Sequence, residues 1–139
     1  MSFVYCIRSL IYYILQKLNM EYAEINHLGL EKTDTKIAFQ FKKLVEVHMN
    51  KKQRVSEYAD MLNISRISLN EAVKKQFNIT AVHLLKQRLL SEIKDYLIYS
   101  NLTIAEIAYK LNFSDPSHLM RFFKAATGQT AGNFRSQYI

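Results

Sequence analysis

Two sets of side chains recur at one spacing: Ile67, Asn70, Glu71 and Lys74, then Ser117, Met120, Arg121 and Lys124. Each set runs i, i+3, i+4, i+7, which puts its members on a single helix face. Their types suit recognition rather than bond-making. The Arg121 fork matches guanine O6 and N7, and serves a phosphate or solvent equally well. The Asn70 carboxamide matches adenine, although an exposed Asn is commonplace. Glu71 repels phosphates but can accept from cytosine N4, and Met120 suits either a thymine methyl or simple packing. Arg66, Lys74, Lys75 and Lys124 are candidates for phosphate contact, each equally explained as a free surface charge. Enzyme constellations are missing. The chain has no Gly-rich phosphate loop, no Cys/His pairing and no serine elbow. His27, His48, His83 and His118 fall at no ligand-like spacing, so neither metal nor cofactor is expected.

Those faces lie inside an internal repeat. Val55 to Ser65 returns as Ile104 to Ser114, with Glu, Ala, Leu, Asn and Ser identical. One residue slips in, and the likeness resumes as Leu69/Leu119, Val73/Phe123, Lys74/Lys124 and Thr80-Ala81/Thr130-Ala131. Two copies of one binding module are implied. Each copy reads as a short helix, a tight turn and a second helix. Thr103 and Glu106 form a capping-box pattern, and Glu57 and Glu106 are better read as helix-start chemistry than as acid–base pairs. Asn63 and Asn112 stand where the turn needs a left-handed residue. Asp115-Pro116 reads as N-cap and N1 of the next helix, with Ser65 the cap in copy one. Arg54 replaces Thr103 in copy one, so its first helix should start less cleanly. Ala59 and Ala108 are small where helices approach, and Leu62 and Leu111 plug the angle. Leu69, Ala72, Val73 and Phe77 should point inward, as should Leu119, Phe122 and Phe123.

Between the copies, Ala81 to Ser100 reads as one amphipathic helix capped by Thr80, with Val82, Leu85, Leu89, Ile93, Tyr96 and Leu97 inward. At ~1.5 Å per residue it spans roughly 30 Å, close to the ~34 Å of one B-DNA turn. A last helix covers about Ala131 to Tyr138. Ahead of the repeat, Lys36 to Met49 forms an amphipathic helix with Asp34 or Thr35 as cap, and Asn26 to Thr35 reads as a connection. The fold class is all-α: two N-terminal amphipathic helices (1–50), then a first module (51–79), a linker helix (80–100) and a second module (101–139).

Composition narrows the partner. Among 139 residues the net charge is +7, with six Lys/Arg against five Asp/Glu in residues 1–50 and thirteen against seven in 51–139. The excess lies with the repeat, as a polyanionic partner requires, although charge alone also fits a merely soluble surface. The lone Cys6 fits a reducing compartment, and a cytoplasmic location is expected. The apolar run from Phe3 to Leu18 is interrupted by Arg8, Gln16 and Lys17 and falls short of the ~20 residues of a spanning helix. Phe3, Ile7, Leu10 and Ile14 fall at 4-3-4 spacing, which favours packing or a homodimer through residues 3–18 over a membrane role.

With these residues in place, the stretch from about Val55 to Tyr138 resembles the double helix-turn-helix DNA-binding domain of AraC/XylS-type bacterial transcription regulators. The run Leu102-Thr103-Ile104-Ala105-Glu106-Ile107-Ala108 carries the resemblance, with Leu111 to Leu119, Arg121-Phe122-Phe123-Lys124 and Thr127-Gly128. It implies double-stranded DNA as partner, RNA polymerase as a further one, and two recognition helices facing one side of the duplex. By the same resemblance Ile67, Asn70 and Glu71 occupy base-reading positions of the first helix, and Ser117, Met120 and Arg121 those of the second. Two departures stand out. Asn63, Asn78 and Asn112 fill turn positions that the family often gives to Gly, and Glu71 stands where a basic residue is common. Only about 50 residues precede the repeat, too few for a ligand-binding barrel, so the chain is expected to be either the tail of a longer sensor or a stand-alone regulator. Two rival readings are a helical module whose basic face meets an acidic protein, and a membrane-surface protein anchored by residues 3–18.

Overall fold

The computed structural model describes residues 2–25 and 33–138, and every regular element among them is helical. In chain order these are α1 (Ser2–Ile25), α2 (Thr33–His48), α3 (Val55–Met61), α4 (Arg66–Phe77), α5 (Ala81–Tyr99), α6 (Ile104–Lys110), α7 (Pro116–Thr127) and α8 (Ala131–Ser136). The chain forms two compact units, Ile7–Arg88 and Leu89–Ile139 with Met1–Cys6. The division falls inside α5, and α2 contributes core residues to the first repeat.

In the unit Ile7–Arg88, α2 supplies Phe41, Val45 and Met49 to a core completed by Val55, Tyr58 and Ala59 of α3, Leu69 and Val73 of α4, and Ala81, Leu84 and Leu85 of α5. Tyr58 is fully buried and its hydroxyl donates to the Lys52 carbonyl at 2.7 Å. Its ring meets Phe41 edge-on at 5.4 Å, a favoured aromatic geometry. An Arg88–Glu46 pair ties α5 to α2, with a second bond from Nη2 to Oε2 at 3.2 Å. Helix α2 begins at Thr33, so Asp34 and Thr35, the caps expected, lie within it. Both side chains turn toward α4: Asp34 pairs with Lys75 at 3.3 Å, and the Thr35 hydroxyl donates to Gln76 Oε1 at 3.2 Å. The connection expected over 26–35 falls largely outside the described residues.

In the unit containing Leu89–Ile139, Leu89, Ile93 and Leu97 of α5 pack with Ile107, Ala108, Leu111, Phe113, Leu119, Phe123, Ala131 and Phe134. Arg135 of α8 reaches back to the end of α5, where Nε donates to the Leu97 carbonyl at 3.0 Å and Nη2 to those of Tyr96 and Ser100 at 3.3 and 3.4 Å. It thus adds a cationic donor to the carbonyls at a helix C-terminus, where that of Tyr96 also accepts from the Ser100 amide and hydroxyl. Two acidic residues are buried here, Glu92 at 1% and Asp95 at 7% exposure. Burial, and then the Asp95 charge, raise the Glu92 pKa to about 8, so its carboxyl is largely neutral at pH 7.

The inner face expected for α5 needs one correction. Val82 is 45% exposed, whereas Leu84 is buried. The first turns of α5 direct Ala81, Leu84 and Leu85 to their core and leave Val82 along a groove beside α4. The last helix is also shorter than expected, ending at Ser136 with a turn after it.

Candidate nucleic-acid interface

The two copies build their turns alike. Asn63 and Asn112 have φ of 56° and 59°, the left-handed region that Asn enters more readily than other non-glycine residues. Across each turn an amide closes back on the small alanine, Ile64 to the Ala59 carbonyl at 3.1 Å and Phe113 to that of Ala108 at 2.9 Å. The second helices end alike too, with Asn78 at φ 60° and Gly128 at φ 80°. Thr80 and Thr130 then cap the next helices, each accepting at 3.1 Å from the amide three residues on.

Helix starts differ between the copies. Thr103 Oγ1 accepts from the Glu106 amide at 3.1 Å and donates to Glu106 Oε1 at 3.1 Å. The glutamate therefore engages the threonine hydroxyl, a variation on the reciprocal amide pairing expected. At α3 the Arg54 side chain has no acceptor to offer, and the Glu57 carboxylate alone closes the turn by accepting from the Arg54 amide at 3.2 Å. That is the weaker start anticipated for copy one. Ser65 caps α4 by accepting from the Ser68 amide at 3.0 Å, and Asp115 caps α7 by accepting from that of His118 at 2.8 Å.

In the unit Ile7–Arg88, Leu69, Ala72 and Val73 hold α4 to the core. The opposite side exposes Arg66, Ile67, Glu71 and Lys74, with Ile67 at 70%. A side chain of that size left so exposed is suited to an apolar contact such as a thymine methyl. Beside it runs a groove of ≈ 700 Å³, lined by residues including Gln53, Arg54, Arg66, Ile67, Asn70, Glu71 and Lys86. Arg54 and Lys86 are the cations that sequence reasoning missed. They come from α3's N-cap and the second turn of α5, and only folding brings them to the groove that Glu71 also lines.

Two expected contact residues have other tasks. Asn70 is half-buried and its Oδ1 accepts from the Ala81 amide at 2.9 Å, pinning α4 to the start of α5. Lys75 leaves the outward face to pair with Asp34. A bidentate grip on adenine would need Asn70 to share an acceptor already in use, whereas the Lys75 ammonium stays largely exposed beside Asp34 and keeps further donors for a phosphate.

In the other unit, Leu119 and Phe123 hold α7 to the core. The far side exposes Ser117, Met120, Arg121 and Lys124, with Met120 at 42%. His118 is steadied at the helix start by Ser114 Oγ, 3.2 Å from Nδ1, and by the Phe113 ring edge-on at 5.2 Å. No carboxylate pairs with Arg121 among the described residues, so its fork is free to bind. The described residues include no grouping suited to a metal ion, and no helix among them is long and apolar enough to cross a membrane.

Comparison with known proteins bears on this arrangement. A family model described as "Helix-turn-helix domain" matches residues 58–137. The bifunctional transcriptional activator/DNA repair enzyme AdaA of Bacillus subtilis is 29% identical over 91 residues, covering 66% of this chain and 43% of that protein. The Msm operon regulatory protein of Streptococcus mutans is 28% identical over 128 residues, covering 91% and 46%. The chain thus spans less than half the length of these relatives. Among solved structures, the C-terminal domain of AraT, a response regulator from Geobacillus stearothermophilus, superposes with a TM-score of 0.69 at 21% identity. That match covers 76% of this chain and 88% of the domain.

Proposed function

The chain belongs to the AraC-type helix-turn-helix family, and from that membership we propose that α4 and α7 are its recognition helices, each entering a major groove. The DNA-binding domain is the family's. The assignment of contacts is ours. It is carried by one observation, that the two helices expose matching i, i+4, i+7 positions, Ile67, Glu71 and Lys74 on α4 and Ser117, Arg121 and Lys124 on α7, while equivalent leucines, Leu69 and Leu119, anchor them.

On this reading Arg121 and Met120 read bases from α7, with Ser117 beside them. Ile67 and Glu71 do so from α4, and Asn70 chiefly positions that helix. Lys74, Lys124 and Arg66 bind phosphates, joined by Arg54 and Lys86 from the groove. The three groove cations offset the Glu71 charge, which is how a carboxylate is tolerated near a polyanion. Regulation of transcription in the cytoplasm, with RNA polymerase as a further partner, is the role such binding would serve. Catalysis has no place in it. The name of the Bacillus relative couples activation to DNA repair, and this chain covers under half of that protein.

Binding-site selection from random duplexes tests the proposal. Two preferred motifs about 10 bp apart are expected if both helices read DNA, whereas one motif would remove α4 from base reading. Salt titration supplies the second measurement. With about five phosphates neutralised, log K should fall against log salt with a slope near −4.5. A flat response would sink the proposal and favour an acidic protein partner.

A further inference from the structure

Helix α1 docks with its less apolar side. From Ile7 onward the half-buried positions are Ser9, Tyr12, Gln16 and Met20, successive turns of one stripe. Leu10, Ile11, Ile14 and Leu15 are turned outward, each more than 40% exposed. Tyr12 is the member of the stripe that meets a charge. The Lys42 ammonium of α2 lies over its ring, 5.6 Å from the centroid. The same ammonium lies over the ring of Phe77, the last residue of α4, at 5.1 Å. One half-buried cation thus touches α1 and the end of α4 together. No carboxylate among the described residues pairs with Lys42, and Glu46, one turn further along α2, is held by Arg88. Glu46 also faces the Tyr12 hydroxyl, whose pKa burial and then that carboxylate push up to about 12. The two rings are therefore the partners of Lys42, at distances where a cation over an aromatic face is attracted.

We propose that Lys42 is a positioning residue for base reading, coupling the seat of α1, through Tyr12, to the pose of α4, through Phe77. The proposal rests on α4 being a recognition helix. Its end is held by α2 residue by residue. Asp34 holds Lys75 at 3.3 Å, the Thr35 hydroxyl holds Gln76 at 3.2 Å, and the Phe39 ring meets Phe77 edge-on at 5.4 Å. The first two ties are exposed to water and contribute little. Phe77 is thus the firmer anchor, and of its contacts the Lys42 ammonium is the one that also reaches α1. Helix α4 then acts as a stiff lever. Ile67 and Glu71 stand ten and six residues before Phe77, roughly 15 and 9 Å along the axis. A tilt of about 4° at the Phe77 end would carry Ile67 about 1 Å, enough to loosen a contact that depends on fixed geometry. Coupling of this kind is reciprocal, so a duplex held by α4 should tighten the seat of α1.

Binding of the 139-residue chain to its selected duplex, and to that duplex with the α4 half-site scrambled, tests this. Lys42→Met keeps the stem and removes the charge. It should weaken binding to the intact duplex about 5- to 10-fold, within the range of a cation over an aromatic ring, and bind the scrambled duplex as the wild type does. Lys42→Arg keeps a cation over both rings and should stay within about 2-fold of the wild type. Lys43→Met removes an equal charge from the exposed position beside it and should leave the ratio between the two duplexes unchanged. Reciprocity supplies a readout that altered stability alone would not move. The intact duplex should slow hydrogen exchange of the α1 amides around Tyr12 in the wild type and fail to do so in Lys42→Met. An equal loss on both duplexes overturns the proposal, as does equal protection of α1 in both proteins. A third arm uses no DNA. Tyr12→Leu should shift the Phe77 ring resonances in the wild-type background and leave them unmoved beside Lys42→Met; equal shifts in both would sink the coupling. Should site selection give a single motif, the reading of α4 fails, while this third arm still decides whether Lys42 joins α1 to α4.

Discussion

Arg121 and Asn70 show how two residues of similar promise separate once their surroundings are known. Arg121 stands exposed with no carboxylate paired to it among the described residues, while Asn70 is spent on the Ala81 amide. Arg121→Ala should therefore cost about 1–3 kcal/mol on the selected site and relax preference at one base pair, as read by binding to a panel of single-base variants. A uniform loss over the panel would make it a phosphate contact instead. Asn70→Ala should lower stability by about 1 kcal/mol, the usual cost of losing a cap, and weaken binding to all sequences alike. Asn70→Asp keeps the acceptor and should recover most of the stability in urea denaturation. If Asn70→Ala instead altered the preferred base at one position, direct reading would be its role. Types and spacing made the outward residues legible in the sequence. The diversion of Asn70 and Lys75 was not, because their partners lie 11 and 41 residues away.

At the scale of elements, the repeat is a set of local instructions, and local instructions survive translation into structure. The left-handed turns at Asn63 and Asn112, the threonine caps and the Asp115-Pro116 start all depend on bonds within a few residues. Asn112→Ala should cost about 1–2 kcal/mol, because alanine pays the left-handed penalty without a side chain that bonds locally. Asn112→Gly should be far milder. Urea midpoints at unchanged m-value would report both, and equal losses for the two would mean that the Asn112 side chain matters rather than its backbone angle. The start of α2 differs from the sequence expectation for another reason. Asp34 and Thr35 look like caps in isolation, yet α4 offers them Lys75 and Gln76.

For the whole molecule, the buried Glu92 gives stability a pH dependence. Its folded pKa of about 8 lies above the unfolded value of about 4.3. The folded state then holds a proton that the unfolded state has lost. Its contribution is fully present below the unfolded pKa and fades as pH rises toward 8, with a slope of at most about 1.4 kcal/mol per pH unit. Glu92→Gln should flatten that decline, so the variant gains on the wild type between about pH 5.5 and 8 in urea denaturation. A wild type whose stability rises over the same interval would contradict the assignment. Nothing in the amphipathic pattern flagged Glu92, because a helix period marks which side faces inward and not which polar residue is trapped there.

The amino-acid sequence by itself determined the repeat, the all-helical class, the turn chemistry and the outward faces of α4 and α7. Those depend on periodicity and on bonds between near neighbours. Tertiary structure alone decided that α2 joins the first repeat's core, that Arg54 and Lys86 share a groove with Glu71, and that α1 presents its apolar side outward. Each of these depends on surfaces far apart in the chain, and the spacing of residues along one helix cannot say which neighbour its faces will meet.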